Sequence, residues 1–562
     1  MDGRKAVSPR SQRRERMATE GVNLIVFAVM IAVFTAATIF LGWYGYKNTH
    51  HNQDFLLGRS KTSPIIIALS YGATFLSASA VIGFGGQAAV HGMSLMWLCF
   101  LNLFVGLVVA FIIFGKKTRR AGLKHGASTF ADLMGKIYSS KGIRAFTAVL
   151  IIVMMPIYAA AVLKGGVNSL ATIMGLNEFY NYILIALSII VAFYVVYGGI
   201  IAVMYNDALQ AAIMFIGMTV ILLVTFYTMG GITAGNESLT SLWDTKIGES
   251  GLGVLPGFEG WTDTAQFGTK EWMTVVTTFF LGVGIGALTQ PQLVVRYMSA
   301  KSDRDLDKSL IIGSVFMFVI VGAAYTVGPL TNVYFDNMYG LTSSQYMGEL
   351  GLGTDFIIPQ YILEVFHDIT FGDVFISLFL LSLVCAAIST ISALMHTIGG
   401  AAGYDLFTLW QNKKGRLKGD SQSVRVNRIC IVIILVMVVV YCYLMPKDII
   451  AKATSVFMGL TAAALLPAYF HGIYSKRPCK KAAIYSMLAG TLSYMFMALF
   501  INAGTSVFLP ICKIITGKAV LFPDSIVAYL DPLVVALPLS IIVMAVSVLA
   551  FRKSEEPEPL TA

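Results

Sequence analysis

Residues 63–92 read SPIIIALSYGATFLSASAVIGFGGQAAVHG, and residues 278–296 read TFFLGVGIGALTQPQLVVR. Both are apolar enough to lie within a lipid bilayer, yet both contain what breaks a helix. The first has Gly72 in its interior, then a Ser/Thr-rich stretch, then Gly83, Gly85 and Gly86; the second alternates Gly282, Gly284 and Gly286 before Gln290-Pro291. Small residues also let membrane helices pack closely, which accounts for most glycines in such chains. Backbone that leaves the helical ladder at membrane depth, however, is tolerated only where it lines a cavity or is buried in protein. The two stretches therefore mark a site.

Around them the chain is that of a polytopic membrane protein. Of 562 residues, 57% are hydrophobic and 12% charged, about half the charge density of an ordinary soluble domain. Soluble enzymes and nucleic-acid binders are excluded on this ground. Apolar runs of about 20 residues mark thirteen spans, at 23–44, 62–90, 94–115, 143–163, 180–198, 205–229, 271–297, 308–332, 372–400, 424–444, 449–474, 480–503 and 527–551. The irregular spans are the second and the seventh, five apart. Five is odd, so two five-span units, about 62–229 and 271–474, would enter the membrane from opposite sides with a binding site between their broken helices.

The formal charge of +10 orients the chain rather than indicating a polyanion partner. Twenty-seven of the 40 Lys and Arg fall on one face, which the positive-inside rule makes cytoplasmic. Thirteen spans then put the N-terminus outside and the C-terminus inside the cell membrane. Six basic residues in the external tail 1–22 oppose this, and a start at Met17 would remove them. The transporter domain is expected at 23–551, followed by a short cytoplasmic tail, 552–562. The six cysteines show no CxxC and no shared spacing with His, so neither a disulfide framework nor a zinc site is expected.

The ninth span, LSLVCAAISTISALMHTIGG, sets Ala386, Ser389, Thr390, Ala393, His396 and Thr397 on one helical stripe. Such hydroxyls commonly bond to the preceding turn or glue helices together. They also offer the neutral oxygens that a hard monovalent cation prefers. Spacing leaves both readings open. His396 reads as a packing histidine, with a place beside a cation path as the sharper alternative. Lys164 and Arg296 fall near span ends, where snorkelling to the headgroups is the expectation. Polar groups beside the breaks, Ser77, Ser79, Tyr158, Thr289 and Gln290, are candidate solute contacts, each with interhelical bonding as its plainer role.

Several segments together resemble the sodium:solute symporter family. In YGGIIAVMYNDALQ, Gly198, Gly199, Ala202, Val203, Asp207 and Gln210 match the family's signature, with Asn206 where Thr is common. AAISTIS at 386–392 is similar to its sodium-binding stretch. Pro467, Gly472, Lys476, Arg477 and Gly490 follow its later pattern, and FLLGRS and VVRYMSAKS fit as well. The likeness runs from about residue 55 to 500. It implies an all-α fold of thirteen helices with a leucine-transporter-like core of inverted repeats, and coupled uptake of a small solute with sodium by alternating access. Sodium would be held by the carbonyls of Ala73, Leu76 and Ala386 and the hydroxyls of Ser389 and Thr390. Asp207, Ser392 and His396 would border its path.

Some family members hold a second sodium through further hydroxyls and the Asp equivalent to Asp207; Ala393 stands where one of those hydroxyls would be, so one sodium per cycle is expected. Phe75 replaces an Asp of proline-transporting members, which argues against proline. The segments 73–89 and 203–218 resemble the branch carrying pantothenate and short monocarboxylates, so a monocarboxylate is the expected solute. An amino acid or another solute, or a sensor that binds without translocating, are the alternatives. No organic cofactor, no metal other than sodium, no catalytic residue and no obligate protein partner is implied.

Overall fold

The computed structural model describes residues 23–58, 62–246, 256–367, 369–413, 420–445, 450–507 and 509–551. The arm 1–22, with Met17, and the tail 552–562 lie outside the described residues. Regular structure among the described residues is helical throughout, apart from an isolated parallel bridge between Thr62 and Ala300.

Among the described residues, eleven helices are long and apolar enough to cross a membrane. Two of them carry two crossings each: Ser79–His125 turns at Gly92 (φ +76°), and Asn177–Thr228 turns at Gly199. The expected thirteen crossings are therefore present. We number them α1 (Leu24–Lys47), α2a (Pro64–Phe75) with α2b (79–91), α3 (96–125), α4 (Lys141–Ile173), α5 (180–198), α6 (200–228), α7a (Lys270–Thr289) with α7b (Pro291–Ser299), α8 (Asp303–Tyr339), α9 (Gly372–Gly400), α10 (Asp420–Leu444), α11 (Ile450–Tyr474), α12 (Lys480–Ile501) and α13 (Pro532–Phe551). The units α2–α6 and α7–α11 form a five-plus-five inverted core, with α1, α12 and α13 outside it. Helices α3 and α4 run about ten residues beyond their expected C-terminal ends, because polar ends of membrane helices continue the ladder past the apolar run that marks them.

Sequence explains both breaks. Pro64 opens α2a at a first-turn position, where its missing N–H costs nothing. The helix stops where Leu76 (φ −88°, ψ 74°) leaves helical geometry, and the chain resumes at Ser79 in a π-helical turn. Gln290 is extended (φ −67°, ψ 116°) because the residue before a proline is pushed out of the helical region, and Pro291 then opens α7b. The two broken helices run antiparallel and are tied at both ends. Thr62 pairs with Ala300 at one end, and His91 Nδ1 lies 2.6 Å from Glu271 Oε1 at the other. Helix α9 is buried on every face from Phe379 to Gly400 and forms the centre of the bundle.

The α5–α6 junction depends on one residue. Gly199 has φ +58° and ψ −152°, a region open essentially to glycine alone. A Cβ there would lie 2.8 Å from the Phe55 carbonyl. Gly199→Ala is expected to cost about 1–3 kcal/mol, seen as a lower unfolding temperature of the purified protein, while Gly142→Ala, whose Cβ meets nothing nearer than 3.7 Å, leaves it unchanged.

Candidate functional site

The break in α2 faces the hydroxyl stripe of α9. Ser389 Oγ donates to the carbonyl of Ala73 at 3.0 Å and to that of Ala386 at 3.2 Å, and Thr390 Oγ1 donates to the carbonyl of Thr74 at 3.2 Å. These atoms gather because α2a ends one residue later, leaving its last carbonyls without amide partners from a following turn. Leu76 belongs to the same break, its N–H closing on Gly72 at 2.7 Å. Ser392 Oγ turns back to the Ser389 carbonyl, one helical turn away.

Asp207 is on the other side of α2a. Its Oδ2 accepts from Ser70 (2.7 Å), Thr74 (3.2 Å) and the Arg296 guanidinium (3.1 Å). Arg296 also bonds to Thr74 Oγ1 and to the Gln292 carbonyl, and both charged side chains are fully buried. This corrects the expectation that Arg296 snorkels. The α7a–α7b break turns α7b inward, so its side chain meets a partner 89 positions earlier instead of the headgroups. Lys164 bonds to the Met445 carbonyl. His396 Nε2 lies 2.7 Å from the Phe55 carbonyl, and its ring lines a small cavity together with Thr129, Thr397 and Asp405. Asp207 and His396 are thus in separate surroundings, one in an ion pair and one at a cavity wall.

The solute candidates fall into two clusters that each pack against α11. Ser77 Oγ and the Tyr158 hydroxyl are 3.3 Å apart, Thr454 Oγ1 donates to Ser79 Oγ at 2.8 Å, and Tyr158 stacks on Phe457 with ring centroids 5.4 Å apart. Gln290 Nε2 donates to Thr461 Oγ1 at 2.7 Å and to the Gly286 carbonyl at 3.0 Å, and Thr289 sits beside the same carbonyl at 3.5 Å. Thr454, Phe457 and Thr461 follow an i, i+3, i+7 spacing, a single face of α11 that reaches both breaks. Sequence reading passed over this face. The hydroxyl-bearing stripe in TSVFMGLT was the available signal.

Against known proteins, the sodium:solute symporter family matches residues 55–490. The chain belongs to the sodium:solute symporter family. An osmoregulated proline transporter of Bacillus subtilis is 23% identical to this symporter over 501 residues, covering 88% of this chain and 92% of the relative. Sodium/proline symporter 2 of Staphylococcus saprophyticus is 26% identical over 484 residues, covering 85% and 87%. A solved structure described as the substrate-bound outward-open state of a Na+-coupled sialic acid symporter aligns with a TM-score of 0.71 at 18% identity, over 95% of this chain and 99% of that one. At that identity the likeness speaks for the fold. The protein is a multi-pass membrane symporter that couples a solute to sodium.

Proposed function

We propose that this symporter imports a small organic monocarboxylate with one sodium ion per cycle, by alternating access between the units 62–229 and 271–474. The observation that carries the solute reading is the chemistry of the two clusters. Hydroxyls, an amide and an aromatic ring make up the two clusters, and among the described residues no acidic side chain bonds to them. Phe75, where an acid could have paired with a substrate amine, packs against Gly106 and Tyr71 instead. A carboxylate is served by hydroxyl donors and by the N–H groups at the start of a half-helix, where the dipole is positive. An ammonium group has no counter-charge.

The sodium would sit among the carbonyls of Ala73, Leu76 and Ala386 and the hydroxyls of Ser389 and Thr390. Three of these five residues are joined, Ala73 and Ala386 through Ser389, and Thr390 bonds to the adjacent Thr74 carbonyl. Asp207, Ser392 and His396 flank the route inward. One ion per cycle is favoured because Arg296 already neutralises Asp207 and Ala393 has no hydroxyl. The basic face at 27 of 40 Lys and Arg supports an external N-terminus and a cytoplasmic C-terminus in the cell membrane. The names of the proline-carrying relatives favour a second reading, an amino acid substrate.

Uptake into proteoliposomes and charge movement separate the two. One monocarboxylate with one sodium carries no net charge, whereas a zwitterion with one sodium carries one. The expected result is saturable monocarboxylate uptake that collapses without inward sodium and produces no current. Sodium-driven proline current without monocarboxylate uptake would overturn it, and binding without uptake of any solute would make the protein a sensor. Tyr158→Phe is expected to raise KM about fivefold, the loss of one hydrogen bond of about 1 kcal/mol, with the sodium dependence unchanged.

A further inference from the structure

We propose that the buried carboxylate of Asp531, where α13 meets α7a, α11 and α12, is a second monovalent-cation site, taking a sodium ion that is held rather than carried. Asp531 caps α13. Its Oδ1 accepts from the Leu533 N–H at 2.8 Å, Pro532 opens the helix, and its own N–H donates to Thr277 Oγ1 at 3.0 Å. Helix capping accounts for one carboxylate oxygen. The other, Oδ2, is buried and has no hydrogen-bond partner. Among the described residues no Lys, Arg or His lies within ion-pair distance of it.

Two further observations point to a guest. The Tyr494 hydroxyl is within electrostatic reach of this carboxylate, and it too is buried without a partner. Beside Oδ2 there is room: a methyl group added to Gly282 would stand 3.7 Å from Oδ2 and 3.7 Å from the Ser455 side chain, ordinary contact distances. The Thr278 side chain reaches this carboxylate as a further hydroxyl.

A proton does not answer this arrangement. A protonated Oδ2 could donate to only one of the two neighbouring hydroxyls, leaving the other buried oxygen without a partner. A cation bridges oxygens that stand too far apart to bond one another, and the carboxylate, phenol and hydroxyl oxygens here are the hard donors that sodium prefers. One negative charge matches one monovalent ion, whereas a divalent ion would be left half-compensated. Asp531 and Tyr494 belong to α13 and α12, outside both five-helix units, while Thr277, Gly282 and Ser455 lie on α7a and α11, so the ion would tie the outer helices to the second unit. Ser455 adjoins Thr454, which bonds to Ser79, so the ion would brace the solute-facing side of α11.

Counting 22Na+ bound per chain on the purified full-length protein tests this. Wild type is expected to bind two ions. Asp531→Asn, which keeps the cap because Asn caps as well as Asp, and Gly282→Ala, which fills the space with a good helix former, are each expected to bind one, with affinity for the other lowered at least about 100-fold. Both variants should carry the same number of sodium ions per solute as wild type. Two ions retained by both variants would overturn the proposal, as would a single wild-type ion that Ser389→Ala removes. A single wild-type ion lost in Asp531→Asn and kept in Ser389→Ala would instead uphold this site and refute the one between α2 and α9.

Discussion

Ser389→Ala is expected to raise the sodium concentration for half-maximal uptake by about 10- to 100-fold, with the solute KM following it because the two are coupled. The proposed site consists of neutral oxygens, so no carboxylate compensates for a lost ligand. Ser389 is also the atom on which the carbonyls of Ala73 and Ala386 converge. Losing one ligand on the order of 1.4–3 kcal/mol corresponds to that range. Sodium titration of proteoliposome uptake measures it. A half-saturation within twofold of wild type would remove Ser389 from the site. Ser389→Thr, which keeps the hydroxyl, should restore most of the affinity.

Breaking the ion pair of Asp207 and Arg296 has the largest expected effect on stability. Asp207→Leu or Arg296→Met leaves an uncompensated charge in a fully buried position, at a cost of about 3–5 kcal/mol. Expression and unfolding temperature should fall steeply in each single variant. The double variant removes both charges and should recover most of that loss, since replacing a buried pair with apolar residues of similar volume is often neutral. The pair also bonds to Ser70 and Thr74, so recovery will stop short of wild type. Single variants with wild-type thermal stability would show that the pair is not formed in the membrane.

The parts of this molecule that were legible in its sequence depend on local physics. Apolar runs of membrane length are local, and so is the effect of Pro291 on Gln290, so the spans and the second break could be read directly. The break at Leu76 was readable from its small-residue surroundings and then refined by the family resemblance. Arg296 was misjudged because near a span end, long basic side chains generally reach for water, and its partner Asp207 is separated from it by most of the chain between α6 and α7. The α11 face of Thr454, Phe457 and Thr461 escaped for a related reason. Isolated hydroxyls in an apolar helix usually satisfy themselves on the preceding turn, as Thr454 and Thr461 also do, and only the neighbouring helices distinguish these two. Asp531 carried no signal in the sequence, where it is one acidic residue before a proline; only the folded neighbours leave its second oxygen unpaired.

Ser70 and Thr74 are four residues apart on α2a, one turn, and both grip Asp207 on α6; the carbonyls of Ala73 and Thr74 are held by α9. The half-helix is therefore clasped between two neighbours, and Thr74 serves both, its carbonyl on one side and its hydroxyl on the other. Tilting α2a by itself would sever all four bonds at once and leave the buried Asp207 carboxylate with Arg296 alone. The consequence is mechanical. Although the helix is broken at Leu76–Ala78, α2a can swing only in company with α6, α7b and α9 or after that clasp has been released, so it behaves as a door hung on a block of helices rather than as a loose flap.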